Sequence, residues 1–159
     1  MSQTPMVEVK EATKQRDVDL ILKLYELRRE KEMRTARVWY FAQFNPTSAA
    51  DLAQLIANSQ QSSAHYRMLT SYWDMAASFV LNGGIDEQIF QSANTEHVAV
   101  FAKLEPYIAE MRVLSGESDY LIHLERLVMK TPNVKAILER RRKLFAAWIK
   151  TAQREQSGR

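Results

Sequence analysis

The chain has 159 residues, 46% of them hydrophobic and 26% charged, with a formal net charge of +3, which fits one domain with a real core. It has no cysteine, which excludes a disulfide framework, a thiolate metal site and a thiol nucleophile, and suits a reducing compartment such as the cytoplasm. No window approaches the ~20 apolar residues of a membrane span, and only four glycines and four prolines in so charged a chain is the composition of helices.

The N-terminal stretch Met1–Lys14 is polar and lacks the apolar run of a secretory signal. Residues 1–16 read as a flexible arm, residues 17–156 as a single helical domain and residues 157–159 as a disordered tail. The first helix is expected from Val18 to Phe44, with Asp17 as N-cap and Asn45-Pro46 as its stop. It is strongly apolar from Val18 to Leu27, thins through the charged run Arg28–Glu32, and becomes aromatic at Trp39, Tyr40, Phe41 and Phe44. At 1.5 Å per residue it would reach ~40 Å, longer than so small a domain. Part of it is therefore expected to pack on a second copy, with the aromatic end as the candidate oligomer contact.

Thr47 or Ser48 caps a short second helix, Ala49 to Asn58. The third runs from about Ala64 to Asn82 and carries two adjacent apolar stripes, one with Leu69 and Trp73, the other with Met68, Tyr72, Met75 and Phe79. A helix so apolar is expected at the centre of the fold. Gly83 stands where a left-handed C′ residue belongs, and Ile85 where its hydrophobic contact belongs. Asp86 caps a short helix through Ser92. The next starts at Asn94 or Thr95 and carries Pro106 inside it; its stripe keeps phase across the proline, which predicts one kinked helix. Ser118 caps Asp119 to Lys130, and Thr131-Pro132 opens the last helix, which runs to about Gln156. The architecture expected is all-α, an irregular antiparallel bundle of five to seven helices with long first and last members.

The stretch Tyr72-Trp73-Asp74, Asn82-Gly83-Gly84-Ile85-Asp86-Glu87 and Leu104-Glu105-Pro106-Tyr107-Ile108, closed by Glu125-Arg126-Leu127, resembles a bacterial family of all-helical domains of unknown function. The resemblance covers roughly residues 20–128. It implies a helical fold and carries no activity, cofactor or site residue with it. Many members of that family begin with a membrane-spanning helix, from which this chain departs.

Few residues suggest chemistry. No Glu stands three residues before His65, His97 or His123, as a helical di-metal carboxylate site would need. Asp119 and His123 are spaced to meet on one helix face, but two ligands make a weak clip, better read as a carboxylate–imidazole pair. Asn82-Gly83-Gly84 follows a helix and terminates it. Glu96/Glu105 and Asp86/Glu87 become acid/base couples only if their environments separate their pKa values. No catalytic residue, metal or cofactor is expected.

Charge is unevenly spread: residues 45–131 carry a net −5 and residues 132–159 a net +6. The basic run Arg140, Arg141, Arg142 and Lys143 is the candidate anion or partner contact. Arg141 falls on the apolar stripe between Leu138 and Phe145. It is therefore expected to be at least half-buried and paired with a carboxylate such as Glu105, Glu110 or Glu125, with Arg142 exposed. The function expected is a non-enzymatic protein-interaction domain that self-associates as a homodimer or meets another protein. Nucleic-acid or anionic-ligand binding through the last helix is the alternative.

Overall fold

A computed structural model describes residues 4–158. Among the described residues there are nine α-helices and no strand: α1 (Thr4–Arg29), α2 (Lys31–Ala42), α3 (Ala49–Ala57), α4 (Gln61–Leu81), α5 (Glu87–Ala93), α6 (Glu96–Leu104), α7 (Ile108–Ser115), α8 (Ile122–Met129) and α9 (Val134–Ser157). The architecture is all-α as expected. Two helices read as continuous in the sequence are each divided, which accounts for the higher count.

The first division falls at Glu30. Its backbone leaves the helical region (ψ 143°), and its carboxylate accepts the amides of Glu32 at 3.0 Å and Met33 at 3.3 Å, so it ends α1 and caps α2. No Gly or Pro marks the break. Asp17, expected as a cap, lies within α1 instead. Its buried carboxylate accepts the Asp86 amide at 2.9 Å and so ties α1 to the start of α5. The segment read as a flexible arm is helical from Thr4, with Lys10–Arg16 exposed; its first three residues lie outside the described residues. At the other end α9 continues to Ser157 with Gly158 as its C-cap, within the segment read as a tail, and residue 159 lies outside the described residues.

The second division falls at Pro106. Without an N–H it cannot bond the Ala102 carbonyl. The chain turns through Glu105–Tyr107, closed by the Tyr107 amide on Leu104 O at 2.9 Å, and α7 starts afresh. The matching apolar phase on its two sides belongs to separate helices. Two other starts are later than expected. Residues 118–121 form a turn with Leu121 at φ 53°, delaying α8 to Ile122, and Asn133 at φ 54° delays α9 to Val134.

Other termini follow the sequence. Ser48 accepts the Asp51 amide and Asp86 the Ile89 amide. At Gly83 (φ 77°) the Gly84 amide bonds Phe79 O and the Gly83 amide bonds Val80 O, with Ile85 buried beside them. That is a Schellman stop, whose left-handed residue costs least as glycine.

In the core, α4 packs against α2 and α8, α6 against α8 and α9, and α3 against α7. The α4 stripe Tyr66, Leu69, Trp73, Ala76 and Val80 is buried as expected. The second stripe is not: Tyr72 is buried, but Met75 and Phe79 are exposed. The enclosed helix is α6, buried at every position from His97 to Leu104, its Ala99 and Ala102 letting neighbours approach closely. On α9, Val134, Leu138, Phe145 and Ile149 are buried, whereas Leu144 and Trp148 face outward.

Candidate functional site

The densest polar chemistry gathers around Glu96, in the first turn of α6. On a straight helix of ~3.6 residues per turn, Arg28 and Arg37 would point to opposite sides. The break at Glu30 brings both to Glu96. Arg37 Nε donates to both carboxylate oxygens at 3.0 Å and its Nη2 to Oε2 at 2.6 Å; Arg28 Nη1 stands 3.5 Å away. Trp73 Nε1 donates to the same carboxylate at 3.3 Å, and the Arg28 guanidinium lies over the Trp73 and Tyr25 rings. Hydrogen bonding to Glu96 raises the Arg37 pKa. Beside them, His97 meets Gln91 Oε1 through Nε2 at 3.0 Å, while its buried Nδ1 has no partner. Burial, helped by the charge on Arg28, pushes the imidazole pKa down to about 4. The Tyr72 hydroxyl donates to Leu24 O at 2.6 Å, and burial raises its pKa to about 12. These contacts join α1, α2, α4 and α6 into one clasp, in which Arg28 Nε and His97 Nδ1 are buried without a hydrogen-bond partner.

Two further cations seal helix ends. The Lys103 ammonium donates to Tyr40 O at 2.8 Å and Phe44 O at 2.6 Å at the α2 C-terminus, among the rings of Tyr40, Phe44 and Phe145. Desolvation lowers its pKa to about 8. Arg142 donates to Ala102 O and to Glu105, both at 3.1 Å. Ala102 O is the carbonyl that Pro106 leaves without its helical donor.

That contact corrects the expectation for Arg141. The inward partner of the acidic middle is Arg142. Arg141 is half-buried and, like Arg140, makes no hydrogen bond or ion pair among the described residues. Glu125 is taken by Arg112 at 3.2 Å, and Lys143 pairs with Glu139 along the helix. The aromatic end also differs from its expected role: Tyr40 and Phe44 lie inside the core, and Trp39 and Phe41 are half-buried against it. His123 faces Asp74 at 3.2 Å, not Asp119. Among the described residues, no three His, Asp or Glu side chains group as a metal site would require.

Two surface features remain. Between α1 and α4 runs an apolar groove of about 380 Å³, walled by Leu20, Leu24, Leu27, Met75, Phe79 and Ile85, with Lys23 at its edge. Val18, Leu22 and Tyr25 form a second exposed apolar ridge along α1. The other feature is a cleft of about 360 Å³ where the starts of α6 and α9 meet, lined by Arg140 and Arg141. Sequence periodicity pointed to neither. The usable signal was the oversupply of apolar residues from Val18 to Leu27, more than one helix face can bury.

These features describe an all-α domain with a charged clasp at its centre and open apolar and basic surfaces. The chain belongs to the family described as Domain of unknown function (DUF4760), which matches residues 15–131. This agrees with the helical family of unknown function that the motifs resemble. The matched span stops short of α9. No curated protein and no solved structure matches the chain.

Proposed function

We propose that this is a non-enzymatic interaction domain that self-associates as a symmetric dimer through α1. The observation that carries the reading is the exposed apolar ridge of Val18, Leu22 and Tyr25 along α1. Leu22 and Tyr25 stand 54% and 47% exposed on one side of α1, while the α1–α4 groove lies on the other. A two-fold axis would set this ridge against the same ridge of a second copy, and such an interface closes on itself. The first turns of α1 supply a second reason. From Lys10 to Arg16 every residue is exposed, and helical turns that bury little apolar surface are marginal in water. The exposed face of α1 mixes both signs of charge, including Lys10, Glu11, Lys14, Asp19, Lys23 and Glu26. That suits a copy of itself better than a strongly charged partner.

The clasp supports the non-enzymatic part of the reading, since its charged groups are engaged with one another. No helix is long and apolar enough to cross a membrane among the described residues. With no cysteine in the chain, we place it in the cytoplasm. Light scattering at micromolar concentration tests the assembly. The dimer mass is expected for the wild type and the monomer mass for Val18→Glu and for Leu22→Glu, with helical circular dichroism unchanged. A wild-type monomer would overturn the proposal.

A further inference from the structure

The cleft between α5, α6 and α9 is lined by two cations of the basic run. Ile137, Arg140 and Arg141 lie on one face of α9 at helical spacing and form one wall. Asn94 and Thr95 also line the cleft. The Arg140 and Arg141 guanidiniums have no anionic partner among the described residues. Arg142, one residue on, is bound to Glu105, and Lys143 is bound to Glu139. The fold thus divides the basic run in two: one half neutralised within the chain, the other left facing a cavity.

The remaining lining adds donors. Thr95 is the N-cap of α6, yet its hydroxyl bonds none of the helix amides, so the first turn of α6 is open beside the cleft. The Thr131 hydroxyl is free as well. The one carboxylate present, Glu87, is engaged by Lys130. Two guanidinium forks, two hydroxyls and a helix N-terminus suit an acceptor with several oxygens and more than one negative charge. A carboxylate offers two oxygens; a phosphate monoester offers three and close to two charges at neutral pH.

We infer that this cleft binds a small phosphate monoester, held by Arg140 and Arg141 against the open N-terminus of α6. The volume of about 360 Å³ is at the small end of ligand sites and fits a compact phosphorylated molecule. The site is separate from the α1 surface, so it stands or falls independently of dimerisation.

Isothermal titration calorimetry at low ionic strength tests it, with inorganic phosphate and adenosine 5′-monophosphate as probes and chloride as the reference anion. Saturable binding of both probes is expected. Arg140→Gln and Arg141→Gln should each weaken it about tenfold or more, the loss typical of a charge-assisted bond. Lys150→Gln, outside the cleft, should leave it unchanged. Neither arginine has a hydrogen bond or ion pair to lose among the described residues, so both variants should stay close to the wild-type stability. A single-stranded oligonucleotide in the same titration separates the small ligand from nucleic acid. Absent saturation, binding indifferent to both arginines, or binding by the oligonucleotide alone would each overturn the inference.

Discussion

Glu96→Gln tests the charged clasp most directly. The substitution keeps the size of the side chain and an oxygen for Trp73 Nε1, but removes the charge that two guanidiniums share. The two are not equally able to recover. Arg37 is 31% exposed at its side chain and can turn toward water. Arg28 is 12% exposed, lies over Trp73, and its Nε is already buried without a partner. Removing one member of a buried pair costs ~3–5 kcal/mol, mainly because the other charge is left unpaired. With one of two arginines partly solvated, the lower end, about 3 kcal/mol, is the expected loss. In thermal unfolding that is a drop of roughly 6–12 °C for a chain of this size. Urea unfolding followed by circular dichroism measures it at equilibrium. The double variant Arg28→Met, Glu96→Gln distinguishes charge from shape, because removing the stranded cation should recover about 2 kcal/mol of the loss. A single-variant loss under about 1 kcal/mol, or a double variant no more stable than the single, would refute the account of Arg28 as a buried cation dependent on Glu96.

Arg142→Ala should cost about 1–2 kcal/mol through the lost Ala102 and Glu105 contacts, and Arg141→Ala under about 0.5 kcal/mol, by denaturant titration. Trp73, fully buried, should cost ~3–5 kcal/mol on substitution by Ala in the same assay. His97 is held neutral in the fold down to about pH 4, whereas in the unfolded chain it titrates near 6.5. Between those values only the unfolded state takes the proton, so stability falls as pH drops from 6.5 to 4, by about 3 kcal/mol in all. His97→Gln should flatten that part of the stability–pH curve, and an unchanged acid slope would show that other groups set it.

Local chemistry made much of the fold legible. Ser48, Asp86 and Gly83 act where capping rules put them, because each effect is confined to one turn. The Glu30 break was not legible. No residue in Arg28-Arg29-Glu30-Lys31-Glu32 forbids a helix; the break is favoured by a carboxylate 66 positions away that both arginines reach only if the axis turns. Pro106 was seen, but phase continuity was the wrong criterion. A proline deletes one bond, and whether the helix resumes depends on what satisfies the freed carbonyl. Here Arg142 does.

On α9, one residue of register decides the character of the surface. The helical wheel placed Arg141 inward because it treated the buried face as a continuous apolar stripe. The α6 C-terminus instead presents an unsatisfied carbonyl and the Glu105 carboxylate, and a guanidinium supplies what both lack. Pairing therefore turns Arg142 inward, about 100° from Arg141 around the axis. Had Arg141 taken that position, the cleft would have lost one of its two free cations. The proline that ends α6 thus has an effect beyond its own turn: it recruits Arg142 and leaves its two predecessors facing the space beside Thr95. The candidate anion site follows from the same local constraint that ends a helix.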